Sequence, residues 1–171
     1  TILCCGVQTT LTPQAGADLD RLYSQVRVLY HLVRQAVGQY GGALQPITGH
    51  RFLAVFGAPM AQEDHAQRAV LAALGLQHQL STPTPAPPLP RTEALAVRLG
   101  LHTGEVEQAA DGPRGIGVHL AARVLAAAAR GEVMVSQTTH DLVEGSGLEF
   151  EDRGTHKLKG IQGERRLYAV R

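Results

Sequence analysis

Apolar residues recur along this chain with two periods, and the switching between them lays out the elements. Residues 1–8 (TILCCGVQ) form a nearly unbroken apolar run closed by a Thr/Pro turn, which predicts a short buried strand. Over residues 18–40 the period becomes three and four: Leu19, Leu22, Val26, Leu29, Val33 and Val37 mark one face of a long helix. Asp18 is placed to cap its start, and Gly41-Gly42 to stop it. Two strands follow, at 43–48 and 52–56, joined by a Gly49-His50 turn. Helical spacing returns over 63–80, with Ala66, Ala69, Val70, Ala73 and Leu76 inward. A strand at 95–102, an Ala-rich helix at 117–130 ended by Gly131, and a strand at 132–136 come next. Ser136 is placed to cap a short helix through residue 144, and strands at 148–152 and 166–170 close the chain. Strands alternating with amphipathic helices, plus a β-hairpin, predict an α+β fold: a mixed sheet with helices packed on one face.

The one stretch outside this pattern is residues 81–91, which opens STPTPAPPLP and holds five of the nine prolines. It is neither helix nor central strand. The part after it is too small to bury a core of its own, so it reads as an exposed loop within one domain spanning 1–171.

Composition removes several function classes. With 16 Lys+Arg against 15 Asp+Glu, the net charge of +1 supplies no global field toward nucleic acid or an anionic membrane. Aromatics make up 4% and do not interleave with basic residues, which argues against an RNA-binding sheet face. No apolar run reaches the roughly 18 to 20 residues of a membrane span. Cys4 and Cys5 are neighbours, unable to frame a disulfide scaffold or a four-ligand zinc site; a reducing, cytoplasmic setting is expected. The chain opens on Thr with no leader-like segment, which suggests a domain taken from a longer multidomain protein. Eight histidines invite a check for metal ligation, but no His-x-His or HExxH spacing occurs, and no GxxxxGK[ST] or GxGxxG phosphate loop either.

Three collinear stretches carry a specific resemblance: residues 41–59 (GGALQPITGHRFLAVFGAP), 97–106 (VRLGLHTGEV) and 115–135 (GIGVHLAARVLAAAARGEVMV), completed by HKLKG and RRLYAV. Together they resemble the class III nucleotidyl (adenylate/guanylate) cyclase catalytic domain. The resemblance implies a ferredoxin-like βαββαβ core with extra strands, and a head-to-tail dimer whose nucleotide sites lie between subunits. Cyclisation of a nucleoside triphosphate requires attack of the 3′-oxygen on the α-phosphate as pyrophosphate leaves. Two divalent ions on carboxylates, with cationic side chains around them, suit the charge that develops.

In the family one metal-binding Asp ends the first strand and the other sits in the hairpin turn. The matching positions here are Gly6 and His50, neither a carboxylate. The base-reading Lys corresponds to Pro46, which has no side-chain donor. The segment that would hold a second base reader is shortened to EQAADGPR, where Asp111 reads as a turn residue. The ribose-orienting Asn corresponds to His119, the phosphate-facing Arg to Arg123 four residues on, and the Lys for the terminal phosphates to Lys159. The plainer alternatives are a surface ion pair for Arg123 and solvated turn positions for Lys157 and Lys159.

The expectation is a degenerate cyclase-homology domain of a signalling protein, catalytically inactive, acting in dimerisation, regulation or nucleotide sensing. No cofactor is expected; Mg²⁺ or Mn²⁺ would enter only with an active partner. The alternative is a cyclase subunit making cyclic AMP and pyrophosphate from ATP only when a partner chain supplies the metal carboxylates. Expected partners are a second copy or another cyclase-type domain, with a nucleotide as the possible ligand and no nucleic-acid or membrane contact.

Overall fold

The computed structural model describes residues 1–9, 17–45, 51–81, 95–110 and 112–171. Its elements in chain order are β1 (Ile2–Thr9), α1 (Ala17–Gln39), β2 (Ala43–Leu44), β3 (Arg51–Val55), α2 (His65–Ser81) and β4 (Leu95–His102). A small hairpin follows, β5 (Glu107–Ala109) and β6 (Gly112–Arg114), then α3 (Ile116–Ala127), β7 (Val133–Ser136), α4 (Gln137–Leu142), β8 (Phe150–Lys157) and β9 (Glu164–Val170). Most lie within a few residues of the pattern-based expectation. Gly41 ends α1 as anticipated: at φ 74° it lets the amide of Gly42 reach back to the Val37 carbonyl at 2.9 Å. Asp18 falls inside the first turn of α1 and not at its cap.

The seven-stranded sheet runs β2-β3-β1-β4-β7-β9-β8. All neighbours are antiparallel except β4 and β7. The first four strands with α1 and α2 form the ferredoxin-like βαββαβ unit. Its two helices share one face of the sheet, where Leu29, Val33 and Val37 of α1 and Val70, Ala73 and Leu76 of α2 meet Leu3, Cys5, Phe52, Leu99 and Leu101. The expectation of helices on one face fails for α3. It covers the opposite face, against Ile2 and Cys4 of β1 through Ala121 and Leu125, and against Met134 and Leu167 through Leu120 and Val124. The reason is the pleat of β1, whose successive residues serve both faces: Leu3 and Cys5 one, Ile2 and Cys4 the other. Both cysteines are buried and unbridged, and burial pushes the Cys4 thiol up to about 12 and Cys5 further. No described helix is long and apolar enough to cross a membrane.

At one end of this sheet, hydroxyl groups tie five elements together. Thr1 Oγ1 bonds to His65 Nδ1 at 2.8 Å and to Thr103 Oγ1 at 2.7 Å. Thr103 continues to Thr139 Oγ1 at 3.1 Å, and Thr139 to Ser136 Oγ at 3.3 Å. Ser136 also meets His102 Nδ1 at 2.8 Å and accepts the Thr139 amide, which caps α4 as the sequence suggests. Thr139 is fully buried, so Thr139→Val should remove two hydroxyl links at nearly constant shape. Thr103 and Ser136 each keep another partner, which limits the loss to about 1–2 kcal/mol. Urea unfolding monitored by circular dichroism measures it.

Candidate functional site

The surface that bears on function is the face covered by α3, and two glycines determine how α3 sits there. A Cβ on Gly100 would overlap the backbone N and Cα of Leu125 and lie 2.8 Å from its Cβ, so the helix rests directly on β4. A Cβ on Gly117 would lie 2.7 Å from the Glu105 carbonyl oxygen, so the start of α3 is equally close to the strand-end loop.

Helical periodicity divides α3 into two flanks. Leu120, Val124 and Ala127 lean toward Leu158 and Ile161; Ala121, Ala122 and Leu125 lean toward Ile2, Cys4 and Leu53. At 100° per residue, His119 and Arg123 stand one turn apart on the Leu158 side. Lys159 directly follows Leu158 in the turn between β8 and β9, so it belongs to the same flank. His119 is exposed and Arg123 half-buried, and neither they nor Lys159 forms a hydrogen bond or ion pair through its side chain with another described residue.

Gly6 lies on the other flank. A Cβ there would sit 3.1 Å from Leu125 Cδ2, beneath the C-terminal half of α3. One chain thus keeps Gly6 and the His119–Arg123–Lys159 group on opposite sides of a helix. Pro46, His50 and Asp111 lie outside the described residues.

The antiparallel register adds two residues that sequence reading missed. Gly6 is paired with Arg51 on β3 and with Arg98 on β4. Directly opposed residues point to the same face, so Arg51, Gly6 and Arg98 form one row across three strands. Arg51 is exposed, and its charge opposes the burial effect on the neighbouring Cys4 thiol. Arg98 is half-buried, and its Nε is buried with no hydrogen-bond partner. The signal for Arg98 was present in the sequence: a lone charge inside the apolar strand LAVRLGLH.

The pair of divalent ions that the resemblance implies does not fit these residues. Gly6 brings no side-chain oxygen, its ladder partners on both sides are guanidinium cations, and hard ions need carboxylate oxygens. Among the described residues no group of three His, Cys, Asp or Glu side chains could hold a metal. His102 is engaged too: Nδ1 is bonded to Ser136, and burial, followed by the positive chain terminus and Arg165, lowers its pKa to about 4.

The sequence model of the adenylate and guanylate cyclase catalytic domain matches residues 19–171. The chain belongs to that family. A putative adenylate cyclase 3 of Rhizobium meliloti is 32% identical over 127 residues, which is 74% of this chain and 20% of the relative. The domain thus spans about a fifth of that curated protein's length. Among solved structures, the adenylyl cyclase CyaB of P. aeruginosa superposes with a TM-score of 0.80 at 20% identity, covering 99% of this chain and 92% of that one. An adenylate/guanylate cyclase/hydrolase from Silicibacter pomeroyi superposes at 0.75 with 26% identity, covering 99% and 95%. The cyclase fold anticipated from the three motifs is therefore the fold observed.

Proposed function

We propose that this domain is a cyclase homologue without turnover, which associates with a second cyclase-type domain and regulates through that association and through nucleotide occupancy. The observation that carries this reading is the row Arg51–Gly6–Arg98, where the resemblance calls for a metal-binding carboxylate. Without the ions, nothing at that position offsets charge on the leaving pyrophosphate by metal coordination, a contribution of several kcal/mol to the transition state. Association is supported by the two flanks of α3. The phosphate-type side chains His119, Arg123 and Lys159 are displayed on one, and the Gly6 row lies on the other. Only two chains can bring the two flanks onto one ligand.

The test is direct. Tag-free protein incubated with Mg²⁺ or Mn²⁺ and ATP or GTP should yield no cyclic nucleotide above a protein-free blank. Turnover abolished by Arg123→Ala would overturn the reading. Product appearing only after mixing with a carboxylate-bearing cyclase domain would replace it with that of a complementing subunit.

A further inference from the structure

We propose that the cavity between helix α1 and edge strand β2 is a binding site for a small amphipathic carboxylate, an apolar body with one anionic head. It is separate from the nucleotide reading above, because α1 packs on the face of the sheet opposite to α3.

The turn at Gly41-Gly42 joins α1 to β2, so helix and strand diverge from one corner. The space between them has a volume of about 420 Å³ and is lined, among the described residues, by Tyr30, Arg34, Val37, Gly38, Gly42 and Leu44. That size lies within the usual span of small-molecule sites, roughly 300–1,000 Å³. The four lining residues of α1 share one side of the helix through their spacing of three and four. Their partner β2 is the outermost strand on its side of the sheet, so no further strand closes the cavity there. Tyr30 is held in the wall by Phe52 and His31, with ring centroids 6.2 Å and 5.9 Å away. The two glycines have different reasons. At Gly42 a Cβ would lie 2.6 Å from the Phe56 ring, so packing demands glycine. At Gly38 a Cβ would meet nothing within 4 Å, although glycine weakens a helix relative to alanine. The missing side chain at Gly38 leaves the cavity open on the α1 side.

Arg34 selects the charge of the ligand. It is exposed in the cavity wall and has no hydrogen bond or ion pair with a described residue. Arg27 and His31 stand on the same exposed side of the helix, and residues 24–39 contain no Asp or Glu. A carboxylate brought to Arg34 thus meets a planar fork that can hold both of its oxygens, with no like charge on this stretch of helix to repel it. Val37 and Leu44 then take the apolar body out of water. An organic cation would be repelled by Arg34, and a bare polyanion would leave the apolar wall unused.

Titration of isotope-labelled protein with hydrocinnamate, followed by amide chemical shifts, tests the site. Shifts should concentrate in residues 30–44, with a Kd of about a millimolar or below for a ligand of this size. Hydrocinnamyl alcohol, the same body without the charge, should bind about tenfold more weakly, the loss of one charge-assisted bidentate contact. Arg34→Gln alters an exposed side chain and should weaken the acid by the same factor while leaving the alcohol unmoved. Gly38→Leu places a side chain in the cavity and should abolish binding of both. Gly75→Leu on α2, where a Cβ also meets nothing within 4 Å, is the matched helix control and should change neither. Absence of shifts in residues 30–44, equal affinities for acid and alcohol, or binding unmoved by both Arg34→Gln and Gly38→Leu would overturn the site. Displacement of hydrocinnamate by excess ATP would also overturn it, by assigning the ligand to the nucleotide surface. The assay for cyclic nucleotide bears only on the reading above and leaves this result standing.

Discussion

Gly100→Ala should cost at least about 3 kcal/mol. The added carbon would collide with main-chain atoms of Leu125, which no rotamer change can move aside. Helix α3 would have to lift from β4, opening the cluster that Ile2, Cys4, Ala121 and Leu125 form on that face. Gly6→Ala is the matched control. Its new carbon would meet only the tip of the Leu125 side chain, at 3.1 Å, so a small rotation relieves it and the loss should stay under about 1 kcal/mol. Equilibrium urea unfolding of the two variants measures the contrast. Equal losses would mean that α3 is not seated on β4 through Gly100.

This contrast also marks how far the sequence could be read. Elements with one strong period were legible almost to the residue: β1, the body of α1, α2 and β4 follow from apolar spacing alone. β8 was read short, because from Asp152 onward its residues are charged or polar, as suits a strand at the edge of the sheet. The side of the sheet that α3 takes was not legible. Periodicity says that an Ala-rich helix has an inner face, but not which face of the sheet receives it; that is decided by the glycine at 100 and by β1 serving both faces.

The candidate site divided in the same way. His119 and Arg123 could be placed on one helix face from their spacing, because an i, i+4 relation is local. The row Arg51–Gly6–Arg98 brings together residues 45 and 92 positions from Gly6 through strand register, and no local pattern encodes register. Gly6 was singled out only through the family resemblance, which said what was missing there and nothing of the two arginines that flank it.

Acid should destabilise this domain through His102. His102 is buried as the neutral imidazole, and burial, with help from the positive charges of the chain terminus and Arg165, lowers its pKa to about 4. In the unfolded chain the same ring takes a proton near 6.5. Between these values the unfolded state holds a proton that the folded state refuses, so stability is intact above 6.5 and is lost as the pH falls toward 4. After allowance for solvent screening of the two charge contributions, the loss attributable to burial is about 2 kcal/mol. His65, also lowered chiefly by burial, acts in the same direction. The ion-paired carboxylate of Asp152, held down to about 2 by Arg166, titrates below this window and does not contribute within it. Urea midpoints should therefore fall from pH 7 to pH 5 for the parent chain. His102→Gln should be weaker at pH 7, since the Ser136 bond is altered, yet lose clearly less between the two pH values. Parallel pH profiles for the two proteins would show that His102 is not held neutral by the fold.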